Sequence, residues 1–312
     1  MITGDCVQPV TSCLPEGAWP VMLTAFNDAG DLDVDGLRAI CRWYITSGVS
    51  GLFACCQSSE IATLSEAEKR LVMRTALEEA QGRAPVIVGA IGQPDDAARF
   101  DFARRSMDQG AVGVVLNVAE FGTPQTPEPE VVDSLLEFAD AVAEVPLGLY
   151  ECPQPYHRQL SPTALRRLDE SGRFSFMKET SRDLETIAAK IDAVQVIQVF
   201  TAFTPLCLAA RRRGAAGYSG LATNFCPILC QWLCDHPYSR NPSAEEVQAV
   251  VTEAHEQIIR RNYPANAKSM LPGRGVSISH HCRVATDSDA AVSPEQMAQF
   301  ADKWTRLEQR LR

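Results

Sequence analysis

The chain is short of histidine, of positive charge and of long apolar runs, and each shortage removes a class of function. Only five histidines occur among 312 residues, none at a convincing metal-ligand spacing, so a divalent-metal aldolase or hydrolase is not expected. Lysine and arginine total 29 against 39 acidic residues, for a net charge of -10. Nucleic acid and anionic membrane surfaces both call for a basic face, so neither is expected as a partner. The only basic triplet, Arg211-Arg212-Arg213, ends a helical stretch, where cations suit the helix dipole. No run of about 18 uncharged apolar residues could span a bilayer. The first 18 residues carry Asp5 and Glu16 and lack the basic and apolar regions of a secretory leader. The expectation is a cytoplasmic protein. Motifs that cradle phosphate or build hydrolase sites (G-x-x-x-x-G-K-[ST], G-x-G-x-x-G after a strand, H-E-x-x-H, G-x-S-x-G) are missing too, and no cofactor or metal is expected.

What is present describes a globular protein with a sizeable core: 46% hydrophobic and 22% charged residues. Eleven cysteines, an odd number scattered over a chain too large to need stapling, favour reduced thiols over a disulfide framework. Cys226, Cys230 and Cys234 recur every four residues, which marks one buried stripe of a helix rather than a zinc site, since no histidine completes a tetrahedral set. His280-His281 reads as an exposed pair in a loop.

Apolar runs of four to seven residues alternate with amphipathic stretches, the pattern of repeated βα units on a parallel sheet. Eight runs read as strands: Val21 to Phe26, Gly51 to Cys55, Val86 to Ile91, Gly113 to Val118, Leu147 to Tyr150, Phe174 to Lys178, Val196 to Phe200 and Ala216 to Ser219. Helices are expected to start at Asp33, Ser65, Asp95, Pro127, Ser161 and Arg182-Asp183, each a good cap or an acidic first turn. The count fits an α/β fold, a (β/α)8 barrel over residues 18–223, preceded by an irregular arm (1–17). A C-terminal helical extension (224–312) follows, with helices over Phe225 to Cys234, Ala244 to Arg261 and Pro294 to Leu311.

In such a barrel, chemistry sits at strand C-terminal ends. Lys178 ends an apolar strand, and an ammonium in a desolvated pocket loses hydration, so its pKa falls and a neutral nucleophilic amine becomes populated. Tyr150 ends the preceding strand and would project from the same rim, within reach to shuttle the proton that carbinolamine dehydration requires. Gln57, Ser58 and Ser59 follow the second strand, where hydroxyls and loop N–H groups would hold a substrate carboxylate. Thr24, Ser219 and Gly220 lie at the ends of the first and last strands, and the Arg158 guanidinium fork suits a substrate acid. Glu60 reads as structural, paired with a backbone N–H or a cation, and Glu179 as a loop carboxylate.

These residues bring a family into view. Trp19-Pro20 with Thr24-Ala25-Phe26 and Gly30-x-Leu32-Asp33, Gly48-Val49-Ser50-Gly51-Leu52 with Glu60 and Leu64-Ser65-x-x-Glu68-x-Arg70, and Gly214-Ala215-Ala216-Gly217 with Asn224-Phe225-x-Pro227 resemble the dihydrodipicolinate synthase / N-acetylneuraminate lyase family. The likeness covers residues 18–275. It implies a class I, Schiff-base-forming enzyme on a (β/α)8 barrel that acts on pyruvate or another 2-oxo acid, with Lys178 as the imine-forming lysine and Tyr150 as the proton relay. It also implies a homodimer or homotetramer. Three segments depart from the pattern. Gln57 replaces a relay threonine; Ala119-Glu120-Phe121 lacks the tyrosine lent to a neighbouring site; and Arg158 stands three positions beyond the arginine that binds a second substrate. Two of three relay hydroxyls are therefore absent, which argues against the lysine-pathway synthase reaction and leaves a lyase or aldolase acting on another partner. A 2-keto-3-deoxy sugar acid dehydratase and a non-catalytic small-acid-binding barrel are the alternatives.

Overall fold

A computed structural model of the chain describes residues 13–311. Eight parallel strands form one sheet: β1 (Gly17–Ala18), β2 (Leu52–Ala54), β3 (Val86–Gly89), β4 (Gly113–Asn117), β5 (Leu147–Tyr150), β6 (Phe174–Glu179), β7 (Gln198–Thr201) and β8 (Gly217–Tyr218), in the order β1-β8-β7-β6-β5-β4-β3-β2. The two ends of the sheet meet where Val21 bridges Phe53, with Met22 N–H donating to the Phe53 carbonyl (3.0 Å) and Phe53 N–H to that of Pro20 (2.9 Å). The sheet is a closed (β/α)8 barrel. The first strand differs from the expected Val21 to Phe26. Its ladder runs over Gly17–Ala18 and breaks at Pro20, which has no N–H to give.

Helices alternate with the strands: α1 (Val34–Thr46), α2 (Glu66–Ala80), α3 (Asp96–Asp108), α4 (Glu128–Ala141), α5 (Pro162–Glu170), α6 (Leu184–Asp192), α7 (Cys207–Arg212) and α8 (Pro227–Asp235). The six expected starts are the observed N-caps. Asp33, Ser65, Asp95, Ser161 and Asp183 each accept a hydrogen bond from a first-turn N–H, Ser65 forms a capping box with Glu68, and Pro127 leads α4. Because α8 packs on β1 and β8, the helix expected in the C-terminal extension is the eighth helix of the barrel. Beyond it come α9 (Ala244–Ala254), a π-helical turn (His255–Ile259), α10 (Arg260–Asn262), α11 (Ala265–Met270) and α12 (Pro294–Arg310). The cysteine stripe lies buried along α8, the Cys226 thiol donating to the Ala222 carbonyl at 3.2 Å. No described helix is long and apolar enough to cross a membrane.

The interior is plugged by aromatic rings. Trp19, Phe53, Phe176 and Phe200 are each at most 1% exposed. Phe176 stacks on Phe200 at 4.8 Å and meets Phe53 edge-on at 6.0 Å, although β6 and β2 are not neighbours, so these rings meet across the lumen. The plug forms an apolar floor, and any site lies above it at the strand C-terminal ends.

Candidate active site

The pairing of β5 with β6 contains one irregularity, and it decides which residue faces the lumen. Leu147 pairs with Phe174, but after a β-bulge Gly148 pairs with Phe176 and Tyr150 with Lys178. Ser175 is the extra residue. Without it Met177 would stand opposite Tyr150, and a one-residue slip turns a strand's side chains to the other face. The bulge therefore brings the amine and the phenol to the same side of neighbouring strands. Both are 3% exposed. The Lys178 Nζ lies 4.3 Å from the centre of the Tyr150 ring and 5.8 Å from that of Phe53.

Lys178 forms no hydrogen bond or ion pair among the described residues. Burial without a counter-charge pushes its amine down to about 8, only slightly offset by the Cys56 and Cys152 thiols. The Tyr150 phenol moves the other way: burial, then the Cys152 and Cys56 thiols, raise it well above its ordinary value, so it is a neutral donor. Cys152 lies between the phenol and Gln57, donating to Gln57 Oε1 at 3.4 Å.

Both groups open into a cavity of about 820 Å³ that Gln57, Ser58 and Gly220 also line. A Cβ on Gly220 would fall 2.4 Å from the Ala202 carbonyl, so only glycine fits there. Four other expected site residues lie outside the cavity. Thr24 Oγ1 donates to the Ser59 carbonyl (2.8 Å), Ser59 Oγ to that of Met22 (2.7 Å) and Ser219 Oγ to that of Trp19 (3.1 Å). Their hydroxyl protons are committed to backbone carbonyls and hold the rim together. Arg158 turns away to the carbonyls of Thr123 (2.6 Å) and Thr126 (3.0 Å) and stacks over Tyr156, because the loop after β5 carries it over the start of α4. Phe121 packs within the chain, against Phe138 and under Arg99.

Two buried ionic clusters brace the rim. Lys190 of α6 bonds both oxygens of Glu151 (2.7 and 2.9 Å) and Glu179 Oε1 (3.1 Å), with all three side chains at most 1% exposed. Glu151 also accepts from the Leu160 and Thr180 N–H groups. Glu179 is therefore a buried structural carboxylate rather than a loop one. Glu60 accepts from Lys268 Nζ (2.6 Å) and from the N–H groups of Arg283 and Val284, both kinds of partner expected of it, and this ties the loop after β2 to the extension.

Sequence reasoning missed a whole wall of the cavity. His255, Glu256, Ile259, Arg260 and Tyr263 come from the π-turn, α10 and the residue that follows it, and Arg182 and His157 from loops after β6 and β5. Glu256 pairs with Arg260 at 2.8 Å. Arg182 lies over the Phe203 ring at 5.8 Å with a left-handed φ of 65°, a conformation non-glycine residues adopt rarely. Arg182 was read only as part of the start of α6, and nothing in the spacing of His255 or Tyr263 indicated that the extension folds over the rim.

The signature of the dihydrodipicolinate synthetase family matches residues 14–299. The chain belongs to this family. Its relatives include the 4-hydroxy-tetrahydrodipicolinate synthase of Methanospirillum hungatei, 28% identical over 218 residues that cover 68% of this chain and 72% of the relative. Among solved structures, CdNal from Clostridium difficile in complex with mannosamine superposes with a TM-score of 0.80 at 20% identity, covering 94% of this chain and 99% of that one. YagE from E. coli, a member of the same family in complex with pyruvate, gives 0.78 at 20% identity over 94% and 98%. At these identities the two structures establish the shared barrel alone. With the family signature and its synthase relatives, the chain is an enzyme of the lyase and aldolase type on a (β/α)8 barrel.

Proposed function

We propose that the protein is a Schiff-base-forming lyase or aldolase acting on pyruvate or another 2-oxo acid. The observation that carries this reading is a buried lysine with no hydrogen-bonding or ionic partner among the described residues, its amine brought down to about 8, facing a cavity beside a neutral phenol. Neutral Lys178 attacks C2 of the oxo acid to give a carbinolamine. Tyr150 delivers the proton with which the C2 hydroxyl leaves as water, and the resulting imine makes the C3 protons acidic. Loss of one of them yields an enamine, which attacks an aldehyde carbon in the condensing direction. In cleavage the same electron flow runs backwards. Ser58 is the cavity hydroxyl suited to the C1 carboxylate. The pyruvate complex of YagE supports the substrate class by kinship.

A cavity of about 820 Å³ is far larger than pyruvate, which leaves room for a longer acid. In a 2-keto-3-deoxy sugar acid the same imine would acidify C3 and expel the C4 hydroxyl as water, so dehydration shares the first half of the mechanism. Borohydride reduction in the presence of pyruvate, followed by mass spectrometry of the Lys178 peptide, tests that shared half. A reduced adduct on Lys178, absent from Lys178→Ala, is expected. A wild-type protein that acquires none at saturating pyruvate has no such chemistry.

A further inference from the structure

Tyr263 reaches the cavity from the C-terminal extension, and a chain of hydrogen bonds determines where its proton points. The chain starts at Tyr44 of α1, which is wholly buried. Its phenol donates to Asn224 Oδ1 at 2.9 Å. The amide is thereby oriented, and Asn224 Nδ2 donates to the Tyr263 oxygen at 2.7 Å. A phenol that accepts from the amide behind it keeps its own proton for the side in front. In front are the cavity and Ser58, whose hydroxyl neighbours the Tyr263 oxygen. Burial pushes this phenol far up, so it stays protonated.

We propose that Tyr263 is a substrate-binding residue, a hydrogen-bond donor preset by the Tyr44-Asn224 pair that clamps the carboxylate of the 2-oxo acid together with Ser58. The assignment rests on the Schiff-base reading for the identity of the acid. It places one of the donors to that carboxylate on the extension, so substrate binding depends on how the extension docks against the barrel. The amide is the directing element. An aspartate at position 224 has only acceptor oxygens, and it would draw the Tyr263 proton backwards, away from the substrate, without removing the phenol.

The test compares Tyr263→Phe, Asn224→Asp and Tyr44→Phe through the pyruvate concentration that half-saturates borohydride trapping on Lys178. Losing a hydrogen bond to a charged group weakens binding by about 10- to 100-fold. Tyr263→Phe and Asn224→Asp are expected to raise the half-saturating concentration by that factor and equally, with the limiting rate of trapping little changed. Tyr44→Phe, which leaves the amide able to flip, is expected to have a smaller effect. A purely structural role for the chain would lower the melting temperature of Asn224→Asp and leave half-saturation alone, and that result overturns the proposal. If the wild type does not trap at all, the Schiff-base reading fails separately. The Tyr263 assignment is then decided by noncovalent pyruvate binding to Lys178→Ala by NMR, and equal affinities with and without Tyr263→Phe dispose of it.

Discussion

Two buried lysines twelve positions apart have opposite electrostatic surroundings. Lys190, its side chain 1% exposed, is held by the Glu151 and Glu179 carboxylates in a cluster with all three side chains inside the protein. Lys178, 3% exposed, has an aromatic face, two thiols and open cavity. The first is a brace, because burying an ammonium is tolerable when carboxylates and hydrogen bonds replace its water. In the second nothing replaces that water, so the charged form is the unfavourable one. Burial alone does not bring down a lysine's pKa; burial without a counter-charge does.

The sharpest contrast is in turnover and stability together. Lys178→Met is expected to reduce turnover by about 10⁴-fold or more, since it removes the covalent route, as measured by steady-state kinetics on a 2-oxo acid that traps. Lys190→Met leaves two carboxylates buried without their cation and should cost roughly 3–5 kcal/mol of stability in urea melts, while Glu151→Gln/Glu179→Gln/Lys190→Met recovers most of that loss. Lys178→Met should change stability in the other direction. Between its folded value of about 8 and its unfolded value near 10.5, the unfolded chain binds the extra proton, so wild-type stability rises with pH across this window. Below about 8 both states carry the proton, and the native state bears the full cost of a buried ammonium. The methionine variant is therefore expected to be more stable than wild type at pH 7 by on the order of 3 kcal/mol, an advantage that vanishes by about pH 11. A destabilised Lys178→Met would refute the account of an uncompensated charge. The rate of adduct formation should climb roughly tenfold per pH unit below about 8 and level off above it. A remote control sets the scale: Ser65→Ala, which removes the α2 cap, should cost about 1 kcal/mol and leave trapping unchanged.

The readable and unreadable parts of the site divide along a physical line. Lys178, Tyr150, Gln57 and Ser58 were legible because strand periodicity assigns a residue to the end of a strand, and in a parallel barrel all strand C-terminal ends share one rim. Thr24, Ser59 and Ser219 sit at the same rim, yet their hydroxyls are taken by carbonyls, and position along the chain does not reveal such local competition. Arg158 depends on the path of a loop, which no periodicity encodes. Tyr263 lies 85 residues past Lys178, just beyond the helix expected over Ala244 to Arg261, where the pattern announces no element.

Alternating apolar and amphipathic stretches, six helix caps and the order of short motifs were enough to determine a parallel (β/α)8 barrel and its family and to put Lys178 and Tyr150 at neighbouring strand ends, because each is a local property repeated along the chain. Tertiary structure alone decided that the Ser175 bulge puts Lys178 rather than Met177 opposite Tyr150, that Lys190 takes the carboxylates and Lys178 takes none, and that the extension supplies a wall and a phenol. Those outcomes depend on register and on long-range packing, where a shift of one residue or one rotamer exchanges the partners of a charge.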